Sequence, residues 1–206
     1  LREVYTTLEE EPPTFVTVQV IPQQPVPADI SVTGLITPAI DGVLDEGEWA
    51  NAGLFQASGG VMAASERFFE RLYYGFDAQN LYLAVELPEG SSLPQNLSAL
   101  DFYLNFPVVD GEFASFSRGG SLLGFSANRL IEARLEAGAL ASANVYRAAD
   151  AENWQPEPVE PVEAAAASSS AIELAVPLES LGRIETGDRL NLRAAFSERL
   201  LVDDLQ

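Results

Sequence analysis

The sequence contains no histidine and no cysteine, and these two absences remove most of the side chains that perform catalysis in proteins. Without histidine there is no Ser-His-Asp arrangement, no usual general base and no common zinc ligand. Without cysteine there are no disulfides and no thiolate chemistry. Haem is equally unexpected, because histidine is its usual ligand and Met62 is the only methionine. We therefore predict that this chain is not itself an enzyme and carries no haem.

Lysine is also absent, so 11 arginines stand against 31 acidic residues and the net charge is −20. Such a surface repels phosphate groups, and we expect neither a nucleic-acid partner nor binding to acidic membranes. No long apolar stretch is present either, which predicts no membrane insertion. The acidity itself has two interpretations, plain solubility or the binding of hard cations such as Ca²⁺.

Apolar residues recur at every second position in much of the chain after Ile30, which is the pattern of half-buried strands. Clear examples are 81–87 and 100–106, and the alternation returns at 172–176 and 190–196. No segment of helical period separates these runs, so the strands should be antiparallel rather than joined by crossover helices. About nine strands with one apolar face each predict an all-β, two-sheet antiparallel β-sandwich. The alternation assigns four phenylalanines to its core: Phe76, Phe102, Phe106 and Phe196.

Two proline-rich stretches frame the predicted domain organisation. Residues 1–11 can form a short helix, and the five prolines that follow make 12–29 an extended linker, so we place the β-sandwich module at 30–206. Residues 156–170 are of low complexity and are predicted to be a solvated loop between two strands. The chain begins with Leu1 rather than Met, and we interpret it as an excised piece, or a mature product, of a longer protein.

An acidic turn is the candidate metal site. Its members lie beside Gly42 and Gly47, and they are Asp41, Asp45, Glu46 and Glu48. Calcium takes six to eight oxygen ligands from carboxylates and from the carbonyls that tight glycine turns expose, so these residues are candidate ligands. The alternative is structural: a turn at Asp41 followed by a short helical turn that ends at Trp49. The turn between Asp77 and Asn80, in contrast, is assigned to side-chain capping alone.

Trp154 is the candidate sugar-binding residue, because it stands in a polar stretch outside the strand alternation. An exposed indole could stack on the apolar face of a sugar ring, while the alternative is that it covers an edge of the sandwich. Asn153 and Gln155 beside it supply the donors and acceptors that sugar hydroxyls need. Tyr103 and Tyr82 alternate away from the core, so they are predicted to point outward and could extend an aromatic surface.

Three glutamates could be imagined as a glycosidase pair: Glu112, Glu132 and Glu173. That chemistry requires two carboxyl groups at a set separation in a cleft, which a sequence does not show. All three occupy outward positions, so we interpret them as solvated charges.

Three segments resemble family 9 carbohydrate-binding modules and the wider DOMON-like sandwiches. They are ITPAIDGVLDEGEWANAGLF (36–55), RLYYGFDAQNLYLAVEL (71–87) and IELAVPLESLGRIETGDRLNLRAAFSE (172–198). GGVMAAS (59–65) and DFYLNFP (101–107) bring the chain closer to the C-terminal module of glucodextranase and of family 57 glycoside hydrolases.

The resemblance implies a jelly-roll-like sandwich attached to a glycoside hydrolase catalytic domain, with an α-glucan or another polysaccharide or oligosaccharide as ligand and calcium in a structural role. An extracellular or cell-surface location is favoured over a cytoplasmic one. Family 9 modules hold a sugar between two Trp rings, whereas this chain has only Trp49 and Trp154, and we assign Trp49 to packing. The alternative function is a purely structural module that stabilises or orients the catalytic domain without binding sugar.

Overall fold

The computed structural model describes residues 30–56, 69–90, 93, 97–106, 111–183 and 190–198, with the backbone alone for 196–198. The predicted N-terminal helix and linker and the GGVMAAS segment lie outside these residues. The strands are β1 (Gly53–Gln56), β2 (Arg71–Phe76), β3 (Asn80–Glu86), β4 (Leu97–Asn105), β5 (Ala114–Phe116), β6 (Leu122–Ala127), β7 (Arg129–Glu136), β8 (Ala139–Arg147), β9 (Glu160–Pro161), β10 (Ala164–Ala167), β11 (Ala171–Pro177) and β12 (Asn191–Glu198). A single helical turn, α1 (Leu178–Leu181), follows β11.

In the described part of the chain, the strands form two five-stranded sheets and one hairpin. The first sheet has the order β1-β2-β3-β11-β10, the second has the order β12-β4-β7-β8-β9, and β5 pairs with β6. All of these pairs are antiparallel. The prediction of an all-β antiparallel two-sheet sandwich is therefore confirmed. Within the described ranges, no helix is both long and apolar enough to cross a membrane.

The main core lies between the sheets and is built by the alternating residues of the central strands. Leu83 of β3 and Leu174 of β11 meet Phe102 of β4 and Ile131 of β7, and all four side chains are fully buried. Full burial of such a side chain contributes roughly 1.5–3 kcal/mol, so the packing of these strands against each other stabilises the fold strongly. Phe106 also belongs to this core, as predicted, whereas the side chain of Phe196 lies outside the described residues.

Two predictions about local structure are wrong. Phe76 is exposed, because it is the last residue of β2 and lies beside the turn rather than between the sheets. Residues 156–170 are not simply a solvated loop, since they contain β9 and β10, and β10 pairs with β11. A run of alanines carries no apolar–polar contrast, so its strand pairing left no alternating signal. The Asp77 turn is as predicted, with Asp77 Oδ1 accepting the N–H groups of Gln79 and Asn80 at 2.7 Å.

The outer face of each sheet is covered in part by chain that lies outside the sheets. Over the first sheet, Ile36, Trp49 and Ala52 from the segment 31–52 pack against residues that include Tyr82 and Ala84. Over the second sheet, the β5–β6 hairpin and the segment 148–154 pack against Tyr103, Leu130 and Tyr146. Both covers bury side chains that the alternation alone would direct to solvent.

Candidate functional site

A groove of about 810 Å³ lies on the outer face of the second sheet, where the cover ends. Its floor is formed by residues of β4, β7 and β8, and its wall by the turn before β6 and the segment 152–156. Its polar lining includes Asp101, Arg118, Glu132, Arg134, Glu136, Glu152, Asn153 and Gln155. Its volume lies within the range typical of small-molecule sites, about 300–1,000 Å³. The groove is therefore the candidate binding site.

A buried tyrosine supports the floor of the groove. The hydroxyl of Tyr103 donates to Asp101 Oδ2 at 2.8 Å and accepts the backbone N–H of Arg118 at 3.1 Å. Burial, followed by the neighbouring charge of Asp101, raises the pKa of Tyr103 far above its usual value, so the phenol stays protonated and keeps donating. Tyr103 thereby connects the β4 strand with the turn that carries Arg118.

Arg118, Glu132 and Tyr146 form a connected cluster at the surface of the groove. The guanidinium of Arg118 forms an ion pair with Glu132 Oε2, and its Cζ lies 4.0 Å from the centre of the Tyr146 ring. The Tyr146 hydroxyl donates to Glu132 Oε1 at 3.2 Å. Burial and the charge of Glu132 raise the pKa of Tyr146, so this hydroxyl is also a donor at neutral pH.

Two carboxylates stand directly opposite each other in the floor, because Asp101 of β4 pairs in register with Glu132 of β7. Like charges at opposed positions of neighbouring strands destabilise a sheet unless other groups compensate. Here each carboxylate accepts a hydrogen bond from a tyrosine hydroxyl, and Glu132 also forms an ion pair with Arg118. A polar network of this kind, held on a rigid sheet and open to a groove, is suited to bind a ligand rich in hydroxyl groups.

Trp154 lines the groove but is not the exposed platform that its sequence context predicts. It is only 9% exposed, its Nε1–H donates to the carbonyl of Phe116 at 2.9 Å, and its ring lies 5.4 Å from that of Tyr103. A backbone bridge between Ala148 and Trp154 holds the segment against the sheet. The alternative interpretation, that Trp154 covers the sandwich, describes most of its contacts.

Asn153 and Gln155 are exposed and line the groove on either side of Trp154, so the structure brings these three predicted residues together. The side-chain amide of Asn153 donates to both oxygens of Asp150, at 2.9 and 3.0 Å, which fixes the turn that carries it. Tyr103 lies in the same region and supports the floor of the groove. It is on the outer face of its sheet, as predicted, but it is only 1% exposed and is therefore not solvated.

Tyr82 is not part of this site, because it lies on the outer face of the first sheet beneath the segment 31–52. It is 6% exposed, and its hydroxyl donates to Asp77 Oδ2 at 2.8 Å. The prediction that Tyr82 alternates away from the main core is correct, and the prediction that it is exposed is wrong. The covering segment, distant in sequence, buries it.

The acidic turn uses its carboxylates locally. Asp41 Oδ1 accepts the N–H of Val43, Asp45 Oδ1 accepts that of Gly47, and Glu48 Oε2 accepts that of Ala39. These three and Glu46 are exposed, and no three Asp or Glu side chains in the described part of the chain are grouped to share a metal ion. The residues do not form a ready calcium cage, and calcium binding by this turn stays a prediction.

The interpretation of the outward glutamates as solvated charges is wrong for Glu173. It is fully buried on the first sheet, where Oε2 accepts the N–H groups of Asp41 and Gly42 and Oε1 accepts the indole N–H of Trp49 at 3.2 Å. Burial raises the pKa of Glu173, although these donors act in the opposite direction. Glu173 therefore holds the acidic turn onto the sheet, and the assignment of Trp49 to packing is confirmed. Glu112 is exposed, and Glu132 is half-buried in the groove.

Arg118 is not among the residues predicted from the sequence, and Glu132 is interpreted there as a solvated charge. Asp101 and Glu132 both occupy outward positions of strands with clear alternation, which is a usable signal for a polar outer face. Arg118 stands in the turn SFSRGG, whose only sequence signal is its glycines. The pairing of β4 with β7 and the folding of the β5–β6 hairpin over them bring the three residues together.

Comparisons of this chain with protein-family models, with curated proteins and with solved structures return no match. The resemblance to family 9 carbohydrate-binding modules accordingly stays a prediction.

Proposed function

We propose that this chain is a non-catalytic accessory module that binds carbohydrate in the groove of the second sheet, with an α-glucan as the favoured ligand. The observation that carries the proposal is the combination, in one groove, of a preorganised Arg118–Glu132–Tyr146 cluster with the amides of Asn153 and Gln155. Sugar hydroxyls both donate and accept, and this lining offers both functions side by side.

The same proposal includes an attached glycoside hydrolase domain in the parent protein and a location outside the cell, and both rest on the sequence resemblance alone. Nucleic acid is a poor alternative ligand because the chain carries a net charge of −20.

A purely structural module is the second candidate, and the burial of the aromatic rings favours it. Trp154 and Tyr146 are both more than nine-tenths buried, so neither presents a free ring face for stacking on a sugar. A groove without a stacking platform would bind weakly, and multivalent polymers would be retained better than short oligosaccharides.

Affinity electrophoresis of the full chain through gels containing amylose, dextran or soluble cellulose derivatives tests the proposal. We expect retardation in at least one α-glucan gel, confirmed by calorimetry with the matching oligosaccharide. Unchanged mobility in every gel would support the structural module instead.

The same samples test the absence of catalysis. We expect no release of reducing sugar from these polymers by the pure chain. Release that the Glu132→Gln variant loses would show that the opposed carboxylates act as a catalytic pair, and would overturn the non-catalytic assignment.

A further inference from the structure

The Arg118–Glu132 ion pair presents a donor and an acceptor next to each other at the surface of the groove. Its side chains are 29% and 13% exposed, so both groups remain within reach of a ligand. A guanidinium has five N–H donors and a carboxylate has about four acceptor positions. The contacts with each other and with Tyr146 use only part of that capacity.

The orientation of the pair is fixed from several sides. The Arg118 guanidinium lies on the Tyr146 ring, its backbone N–H is held by Tyr103, and Glu132 projects from the middle of β7. A group that is already ordered loses little conformational freedom when a ligand binds, so its hydrogen bonds are more effective.

From this geometry we infer that the pair determines the specificity of the groove by recognising a vicinal diol, two free hydroxyls on neighbouring ring carbons. The inference rests on the proposed carbohydrate-binding function. One hydroxyl accepts from Arg118 while its neighbour donates to Glu132, so each of the two side chains has a hydroxyl of its own. A lone hydroxyl would have to accept from Arg118 and donate to Glu132 through one oxygen, which leaves more of the hydrogen-bonding capacity of the pair unused. A site built to hydrogen-bond particular hydroxyls discriminates strongly against an analogue that lacks them.

The linkage of a glucan decides whether such a pair is available. Residues joined through C1 and C4, or through C1 and C6, keep free hydroxyls at C2 and C3. Interior residues joined through C1 and C3 keep hydroxyls only at C2, C4 and C6, and no two of these are neighbours on the ring. The groove is therefore expected to bind 1→4- and 1→6-linked glucans and to reject the interior of 1→3-linked ones.

Periodate oxidation followed by borohydride reduction removes vicinal diols from dextran and leaves 1→3-linked glucan interiors intact. We expect native dextran to bind the full chain at least about tenfold more tightly than oxidised and reduced dextran, and also more tightly than a soluble 1→3-glucan. Competition with methyl glucoside and its 3-deoxy analogue, which keeps the ring but has no vicinal pair, should show the same preference. If the ligands with and without a vicinal diol bind equally well, the inference is wrong and the proposed function still holds. If the chain binds none of the untreated polymers, the proposed function itself is wrong.

The chain contains a matched control for the protein side of the test. Glu86 on the first sheet is paired with Arg71 at 3.1 Å and accepts the Tyr73 hydroxyl at 3.2 Å, which reproduces the surroundings of Glu132 outside the groove. Glu132→Gln should lower dextran affinity about tenfold or more, and Glu86→Gln should leave it unchanged, with thermal melting recorded for both. Equal affinity of Glu132→Gln and the native chain would contradict the inference. If Glu132→Gln folds poorly, Arg118→Gln takes its place and should show the same loss of dextran affinity. Unchanged affinity in Arg118→Gln would contradict the inference.

Discussion

The outer faces of the two sheets use the same kind of anchor under their covers. On the first sheet the Trp49 ring lies 5.8 Å from Tyr73, and on the second the Trp154 ring lies 5.4 Å from Tyr103. Each indole N–H donates to a partner distant in sequence, Glu173 in one case and the carbonyl of Phe116 in the other. In both places a tryptophan fixes a covering segment to the sheet.

The two covers differ in what borders the sheet surface that they leave uncovered. The segment 31–52 crosses the first sheet and is joined to it by the buried carboxylate of Glu173. The β5–β6 hairpin and the segment 148–154 cover only part of the second sheet, and the uncovered part is the groove. Both faces carry an Arg–Tyr–Glu cluster, so residue type alone does not make the site. The Arg71–Glu86 pair is even more exposed than the Arg118–Glu132 pair, so incomplete coverage is common to both faces. What distinguishes the second face is the wall formed by the turn before β6 and the segment 152–156, which turns its polar floor into a groove.

Removing the two tryptophans should have the largest effect and should be similar on both faces. Trp49→Ala and Trp154→Ala are each expected to lower the free energy of unfolding by about 3–5 kcal/mol, because each deletes a buried ring and leaves a cavity. Equilibrium denaturation in urea measures both. A change within about 0.5 kcal/mol for Trp154→Ala would instead indicate an exposed residue, as the stacking interpretation requires. The Phe variants serve as controls with a smaller expected loss, since they keep an aromatic ring and remove the N–H donor together with the five-membered part of the indole.

The Glu173 contact should give the first face a pH-dependent contribution to stability. Burial raises the pKa of Glu173, so between the unfolded value of about 4.3 and the higher native value the native state binds more protons than the unfolded state. Its contribution to stability is therefore present at low pH and is lost as the pH rises through the native pKa. Glu173→Gln does not titrate, so its stability relative to the native chain should improve from about pH 4 to pH 7. Urea unfolding of both proteins across that range measures the difference between their free energies of unfolding. If the variant instead loses stability relative to the native chain as the pH rises, the three hydrogen bonds outweigh burial in setting the pKa of Glu173.

Calcium is expected to have the smallest effect, confined to the first face. Occupancy of a site in the turn 41–48 at a concentration near its Kd would add about 0.4 kcal/mol, seen as a slightly higher Tm in millimolar calcium. Asp41→Asn should abolish that rise while keeping an oxygen for the Val43 N–H. Identical melting curves with calcium and with chelator would leave the turn with a structural role alone.

The fold was predictable because the central strands carry their alternation in plain form. Leu81, Leu83 and Val85 of β3 point to the core at every second residue, and β11 and the part of β4 from Leu100 onward behave in the same way. Short or featureless strands were not predictable, and the alanines of β10 are the clearest case. For the candidate groove, the sequence indicated the stretch around Trp154, which lines it, but it did not indicate Arg118 and it predicted a Trp154 more exposed than the structure has.

By itself, the sequence determined the strand alternation, the antiparallel sandwich, the capped Asp77 turn and the side of each sheet to which Tyr82 and Tyr103 point. Only the tertiary structure decided which outward residues are solvated. That choice depends on segments brought together over long separations, 38 residues between Trp154 and Phe116 and 132 between Asp41 and Glu173. Alternation reports the local backbone geometry of one strand, whereas burial of its outer face depends on whatever distant chain packs over it.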